Sequence, residues 1–390
     1  MHWVITKAVV LAAALRVVSA LPTNVPVESK LNIVKTTTLP NGQVIDWVTP
    51  ESQIRGTLAT PPPPPESHMK RSLMAEAPAI PAIPAHLAGP AGTVPIPRNK
   101  VSLPPKRLPE VSDNNTANDI HARSNAGTHW YASSSQTVNN FGGGATFSLF
   151  KAYVQSTHDF SLLQTAVIRD NAPNAQYGNG LQTVESGWIN YPDQIGQPHL
   201  FTYFTTCNYQ CNGANQGGWN RDVAGWVQQD STVYPGYQFS PYSVDGGKQY
   251  DLHIEYKLSG GNWWLWVIDR YIGYYPASLF SQGGVNAAST LGTSSSRINF
   301  YGEIYNSEAA VTTTDMGSGE FPETGFGKSG YMHNIIYYDT SSNAQDYDGS
   351  AQIIQSDTSR YRIAASFKST TSYKSYAYLG GPGAGGVVGG

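Results

Sequence analysis

Two glutamates stand where strand-like sequence could bring acid and base chemistry together: Glu185 in L-Q-T-V-E-S-G-W and Glu303 in I-N-F-Y-G-E-I-Y-N. A period of two puts Tyr301 and Tyr305 on the face of Glu303, so aromatic walls should desolvate its carboxyl and keep it protonated in mildly acid solution. Gly187 shares the face of Glu185 and would leave room above the strand for an extended substrate. Two carboxyl groups in one cleft have their pKa values driven apart, so one can hold a water as general base while the other donates a proton. Spacing alone leaves the bland alternative open, since a strand glutamate more often belongs to a solvated face, the reading given to Glu255.

Other chemistries lack their spacing. The chain has no H-E-x-x-H zinc motif and no G-x-S-x-G nucleophile elbow. Gly325-x-Gly327-x-x-Gly330 and Gly327-Lys328-Ser329 echo phosphate-binding loops by letters, but neither follows a strand and opens a helix, so this is read as a glycine-rich surface loop. The five histidines after residue 123 are scattered, which gives no support to a Ser-His or Cys-His nucleophile. No cofactor and no metal are expected. Cys207 and Cys211 predict a local disulfide in an oxidising compartment, and a metal pair is the weaker alternative because two cysteines supply half a tetrahedral zinc site.

The elements that must carry these residues are strands. In Gln249 to Lys257, Tyr250, Leu252, Ile254 and Tyr256 alternate with polar residues; a turn at Ser259-Gly260-Gly261 leads into Trp263 to Ile268, apolar on both faces. Similar runs lie at Ala145 to Val154, Leu162 to Arg169, Leu181 to Asn190, Leu200 to Thr205, Val223 to Gln228, Ile298 to Tyr305, Tyr331 to Tyr338, Tyr361 to Phe367 and Tyr373 to Leu379. A dozen strands without crossover helices predict an all-β domain, either a sandwich of two antiparallel sheets or a barrel, with the sandwich preferred.

Composition divides the chain near Arg123. Of 26 prolines, 18 precede residue 124, whereas all 24 tyrosines and all 12 phenylalanines follow it. Residues 1–20 read as a signal peptide, 21–123 as a proline-rich, largely extended propeptide, and 124–390 as the β domain. A secreted, extracellular protein is the expectation, and nothing later in the chain approaches the roughly 20 apolar residues of a membrane span. Dibasic pairs Lys70-Arg71 and Lys106-Arg107, together with Arg123, offer processing points, and Asn114-Asn115-Thr116 is a glycosylation sequon. The leader holds 12 basic and 8 acidic residues against 12 and 19 in the remainder, so it has the charge to sit on the domain as an intramolecular inhibitor. The acidic domain argues against nucleic-acid binding. A monomer is expected.

V-E-S-G-W (Val184 to Trp188), L-F-T-Y-F-T (Leu200 to Thr205), G-G-K-Q-Y-D-L (Gly246 to Leu252), G-Y-Y-P-A-S-L-F (Gly273 to Phe280), G-E-I-Y-N-S (Gly302 to Ser307), Met316 to Tyr331 and Y-L-G-G-P-G (Tyr378 to Gly383) together resemble the neprosin family. The resemblance implies a β-sandwich glutamic peptidase, made with an activation peptide, cleaving after proline in acid. It maps the catalytic pair onto Glu185 and Glu303, and it supports the Cys207–Cys211 disulfide. Tyr301 stands where the family often has glycine, a departure that would narrow or reshape the cleft. Trp188, Tyr203, Trp264 and Tyr301 are candidates to line a proline pocket, each with sandwich core as the alternative. Proline-containing peptides are the expected substrates. The rival reading is a secreted β-sandwich glycosidase or sugar-binding module using paired glutamates and exposed aromatics.

Overall fold

Alternating apolar residues and glycine-rich turns commit this chain to strands, which the computed structural model describes over residues 25–26, 31–65, 75–98, 103–109 and 125–390. The signal at 1–20, Lys70-Arg71, the Asn114 sequon and Arg123 lie outside the described residues. Before the main domain come β1 (Val25–Pro26), β2 (Ile33–Thr38), β3 (Val44–Val48), β4 (Ile54–Arg55) and β5 (Val94–Arg98). The domain continues with β6 (Thr128–Asn140), β7 (Gly142–Ser148), β8 (Phe160–Asn174), β9 (Gly178–Tyr191), β10 (Ile195–Thr205), β11 (Gly217–Trp219), β12 (Val227–Gln228), β13 (Asp251–Ser259), β14 (Asn262–Val267), β15 (Arg270–Pro276), β16 (Ser295–Asn306), β17 (Gly330–Tyr338), β18 (Ala344–Asp346), β19 (Ile353–Gln355), β20 (Arg362–Ser366) and β21 (Tyr376–Gly380). Among the described residues helix is confined to short 3-10 turns such as Pro322–Thr324, and none is long and apolar enough to cross a membrane.

Two antiparallel sheets form the sandwich. One runs β11-β10-β9-β8-β16-β6-β19; the other runs β12-β15-β14-β13-β7-β17-β21-β20, with β18 also paired to β17. Their inner faces share one core that includes Phe147, Leu163, Val184, Trp188, Leu252, Ile254, Tyr256 and Phe300. The β13–β14 hairpin turns on Gly260 and Gly261, both at positive φ (56° and 73°), as a two-residue turn between right-twisted strands requires.

The described part of the N-terminal segment packs against the main domain. Strands β2, β3 and β5 form a three-stranded sheet, and Ile45 and Trp47 of β3 join the sandwich core. Gln53 exchanges hydrogen bonds with the backbone of Gln228, accepting from its N–H (2.9 Å) and donating to its carbonyl (2.8 Å). Ile54, Leu58 and Ala59 cover Trp264 and Tyr274 on the outer face of the second sheet. That cover explains why β14 is apolar on both faces.

Candidate active site

On the first sheet, odd and even positions separate cleanly. Residues Glu185 and Ile189 of β9, Leu162, Gln164 and Ala166 of β8, Tyr203 of β10 and Tyr301, Glu303 and Tyr305 of β16 face away from the core. Glu185 pairs across β8 with Ala166 and Glu303 with Leu162, so Gln164, opposite both Gly187 and Tyr301, lies between them. Both glutamates are fully buried, in contrast to the solvated alternative.

Each carboxylate has its own set of donors. Glu185 Oε1 accepts from Tyr209 Oη (2.6 Å) and Thr183 Oγ1 (2.8 Å), and Oε2 accepts from Tyr301 Oη (3.2 Å). From the opposing sheet, Tyr256 Oη donates to the Glu185 backbone carbonyl (3.2 Å), fixing the strand beneath the side chain. Glu303 Oε1 accepts from His129 Nδ1 (2.7 Å) on β6, and Oε2 accepts from Gln164 Nε2 (3.3 Å). Burial and the charges of both glutamates hold the Tyr203 and Tyr301 phenols well above their ordinary range, so these stay protonated; Tyr209 behaves likewise, through burial and Glu185.

Between the two carboxylates sits Lys106. Its Nζ lies 2.6 Å from Glu303 Oε2 and 3.3 Å from Glu185 Oε2, with no exposed surface on any of the three side chains. The rings of Phe201, Trp219 and Tyr301 surround the ammonium at 5.4 to 5.6 Å from their centroids. Burial acts most strongly on Glu303 and raises its pKa, but the Lys106 charge and the His129 hydrogen bond overcome it and hold the carboxyl below its ordinary value. The expectation that aromatic walls keep Glu303 protonated is therefore reversed while Lys106 is present. Beside the pair a groove of about 950 Å³ opens between Arg107, His129, Tyr131, Tyr209 and Ile354.

Of the four aromatic candidates, the structure brings Tyr203 and Tyr301 to the carboxylates and leaves two elsewhere. Trp188 is an odd number of residues from Glu185, so it points into the inter-sheet core, where its indole N–H donates to the Ser148 carbonyl (2.7 Å). Trp264 lies on the outer face of the other sheet, under the N-terminal segment. Gly187 does not make space for substrate: a Cβ there would meet the Leu163 carbonyl at 1.9 Å, so its role is close approach to β8. Glu255 is buried rather than solvated, accepting from Tyr338 Oη (2.7 Å) and lying 3.1 Å from His253 Nε2. Lys106, expected as half of a processing pair, is inaccessible, while Arg107 is exposed. Cys207 and Cys211 form the disulfide. Among the described residues no group of three or more His, Cys, Asp or Glu side chains is placed to hold a metal ion.

Sequence reasoning missed His129, Gln164, Thr183, Tyr209 and Lys106. The first three carry a signal only in hindsight, as polar residues on the outward parity of a strand that bears or flanks a glutamate; Lys106 has none, because a basic pair in a leader reads equally as a cleavage point.

A β-sandwich with two buried carboxylates converging on the outer face of one sheet is the class that this fold and site define. The neprosin family model matches residues 157–382, more than half of the chain, and the chain belongs to that family. Both glutamates fall within the matched span, whereas Lys106 and His129 precede it. Similar solved structures include scytalido-glutamic peptidase with a peptide-based transition state analog, 10% identical, covering 66% of this chain and 98% of that chain at a TM-score of 0.29. Another is SCP-B, a member of the eqolisin family of peptidases, in a complex with the tripeptide Ala-Ile-His, 9% identical, with 66% and 98% coverage and a TM-score of 0.29.

Proposed function

We propose that this chain is a secreted glutamic endopeptidase, active in acid and held latent by its own N-terminal segment. One observation carries the reading: two glutamates from separate strands converge, buried, on a single ammonium that stands where a water and a peptide carbonyl would have to be. With Lys106 gone, the charge that does most to lower the Glu303 pKa is lost, so the pKa rises from its depressed position, opposed by His129. Glu303 then suits the general acid. Glu185, accepting from three hydroxyls, suits the general base. Glu185 takes a proton from the water as its oxygen adds to the carbonyl carbon; Glu303 gives a proton to the amide nitrogen, and the carbon–nitrogen bond breaks.

Acid also weakens the hold of Lys106 on the site. Glu303 has a folded pKa below its ordinary 4.5, so its ion pair with Lys106 is intact above that value and is lost as pH falls through the depressed one. Cleavage after proline is the preference proposed, with Tyr203 and Tyr301 as the rings beside the carboxylates on which a proline could stack. The test is mass spectrometry of a proteome digested by the full chain at about pH 4. Fragments ending in proline, absent with Glu185→Gln or Glu303→Gln, are expected; sugar release from a glycan with no peptide cleavage would overturn the reading.

A further inference from the structure

Residues 103–109 cross the outer face of the first sheet and mark more of it than the carboxylates. Leu103, on one side of Lys106, is 8% exposed and belongs to an apolar cluster with Phe160, Leu162, Ile189, Phe201, Tyr203 and Trp219. Leu108, on the other side, is 5% exposed and clusters with Tyr131, Ala166, Ile168 and Tyr301. Next to each leucine a side chain of the sheet grips the crossing backbone: Trp219 Nε1 donates to the Pro104 carbonyl (2.9 Å), and Tyr131 Oη donates to the Arg107 carbonyl (3.1 Å). Only the centre of the track is unlike a substrate, since there the Lys106 side chain occupies the carboxylates.

We propose that these two sockets are substrate subsites on opposite sides of the scissile bond, that both select large apolar side chains, and that Trp219 and Tyr131 are backbone-positioning residues. The proposal rests on the peptidase reading. Its physical basis is that Glu185 and Glu303 project from one face only, so any peptide brought to them must run across that face and satisfy its carbonyls there. Apolar surface already shaped around two leucines gives each socket its preference by burial, and the gripping N–H and O–H fix register without reading sequence.

The experiment is a cut-site profile of the full chain, brought to about pH 4 with a random peptide library and read by mass spectrometry. Leu, Ile, Phe or Met should be enriched at two positions five residues apart, the spacing of Leu103 and Leu108, with the cut between them. Trp219→Phe keeps the ring and removes the N–H; it should raise KM roughly five- to tenfold with kcat little changed, and Tyr131→Phe should do the same. Ala166→Leu fills the second socket and should shift the preference there from large to small side chains. Cleavage with no preference at either position, or KM unmoved in both Phe variants, overturns the subsites and leaves the peptidase reading standing. Cleavage of no library member removes both.

Discussion

At the scale of single residues, the proposed chemistry turns on two buried carboxylates and the groups that hold their charge. His129 stabilises ionised Glu303, so His129→Gln should raise the carboxyl's pKa and move the corresponding limb of the pH–activity profile upward, as measured by initial rates on a fluorogenic peptide. Lys106→Ala removes the ammonium and leaves two buried carboxylates to share a proton. Its full chain should become active at a higher pH than the parent, read by the same assay from about pH 3 to about pH 7. Glu185→Gln and Glu303→Gln should each lower kcat by at least about a thousandfold, because neither amide can exchange the required proton.

Among the elements, the loop closed by Cys207 and Cys211 has an outsized part. Asn208 and Tyr209 within it adopt left-handed φ of 56° and 60°, a conformation that costs roughly 1 kcal/mol or more per non-glycine residue. The turn presents Tyr209 Oη to Glu185. A disulfide closing so short a loop contributes only about 2 kcal/mol in the chain-entropy model, so its removal acts chiefly on geometry. The double variant Cys207→Ser, Cys211→Ser should therefore lose most activity while remaining folded by circular dichroism. Stacking of Tyr203 on Tyr209 extends the effect, since the loop also props a wall of the cleft.

For the molecule as a whole, pH acts on stability as well as on the site. Asp315 is 2% exposed, and burial, with the charge of Glu320, pushes its carboxyl up to about 7 despite a hydrogen bond from the Gly389 N–H. A raised folded pKa stabilises fully below the ordinary value of 3.8 and loses that contribution as pH rises through about 7. The midpoint of thermal unfolding should accordingly fall between about pH 4 and about pH 7, and Asp315→Asn should flatten the slope. Among the described residues, ion pairs between N-terminal segment and domain run in both polarities: Lys106 meets two domain glutamates, and Glu76 meets the domain's Lys248 at 2.9 Å.

Alternation and turn chemistry are local, and they make most of the sandwich legible: Leu252, Ile254 and Tyr256 face the core as their period requires, and the Gly260-Gly261 turn joins β13 to β14. The first long strand, β6, is not legible by pattern because Ser133, Ser134 and Ser135 imitate a loop until neighbouring strands bury them, and His129 lies on that strand. Family motifs located Glu185 and Glu303, and parity alone separates Trp188 from that face. What no local pattern carries is the meeting of residues far apart in the chain: the order of strands that sets Gln164 between the glutamates, and the path that delivers Lys106 to both. Those contacts exist only because burial in three dimensions forces two carboxylates to find a cation, and the chain's own N-terminal segment supplies it.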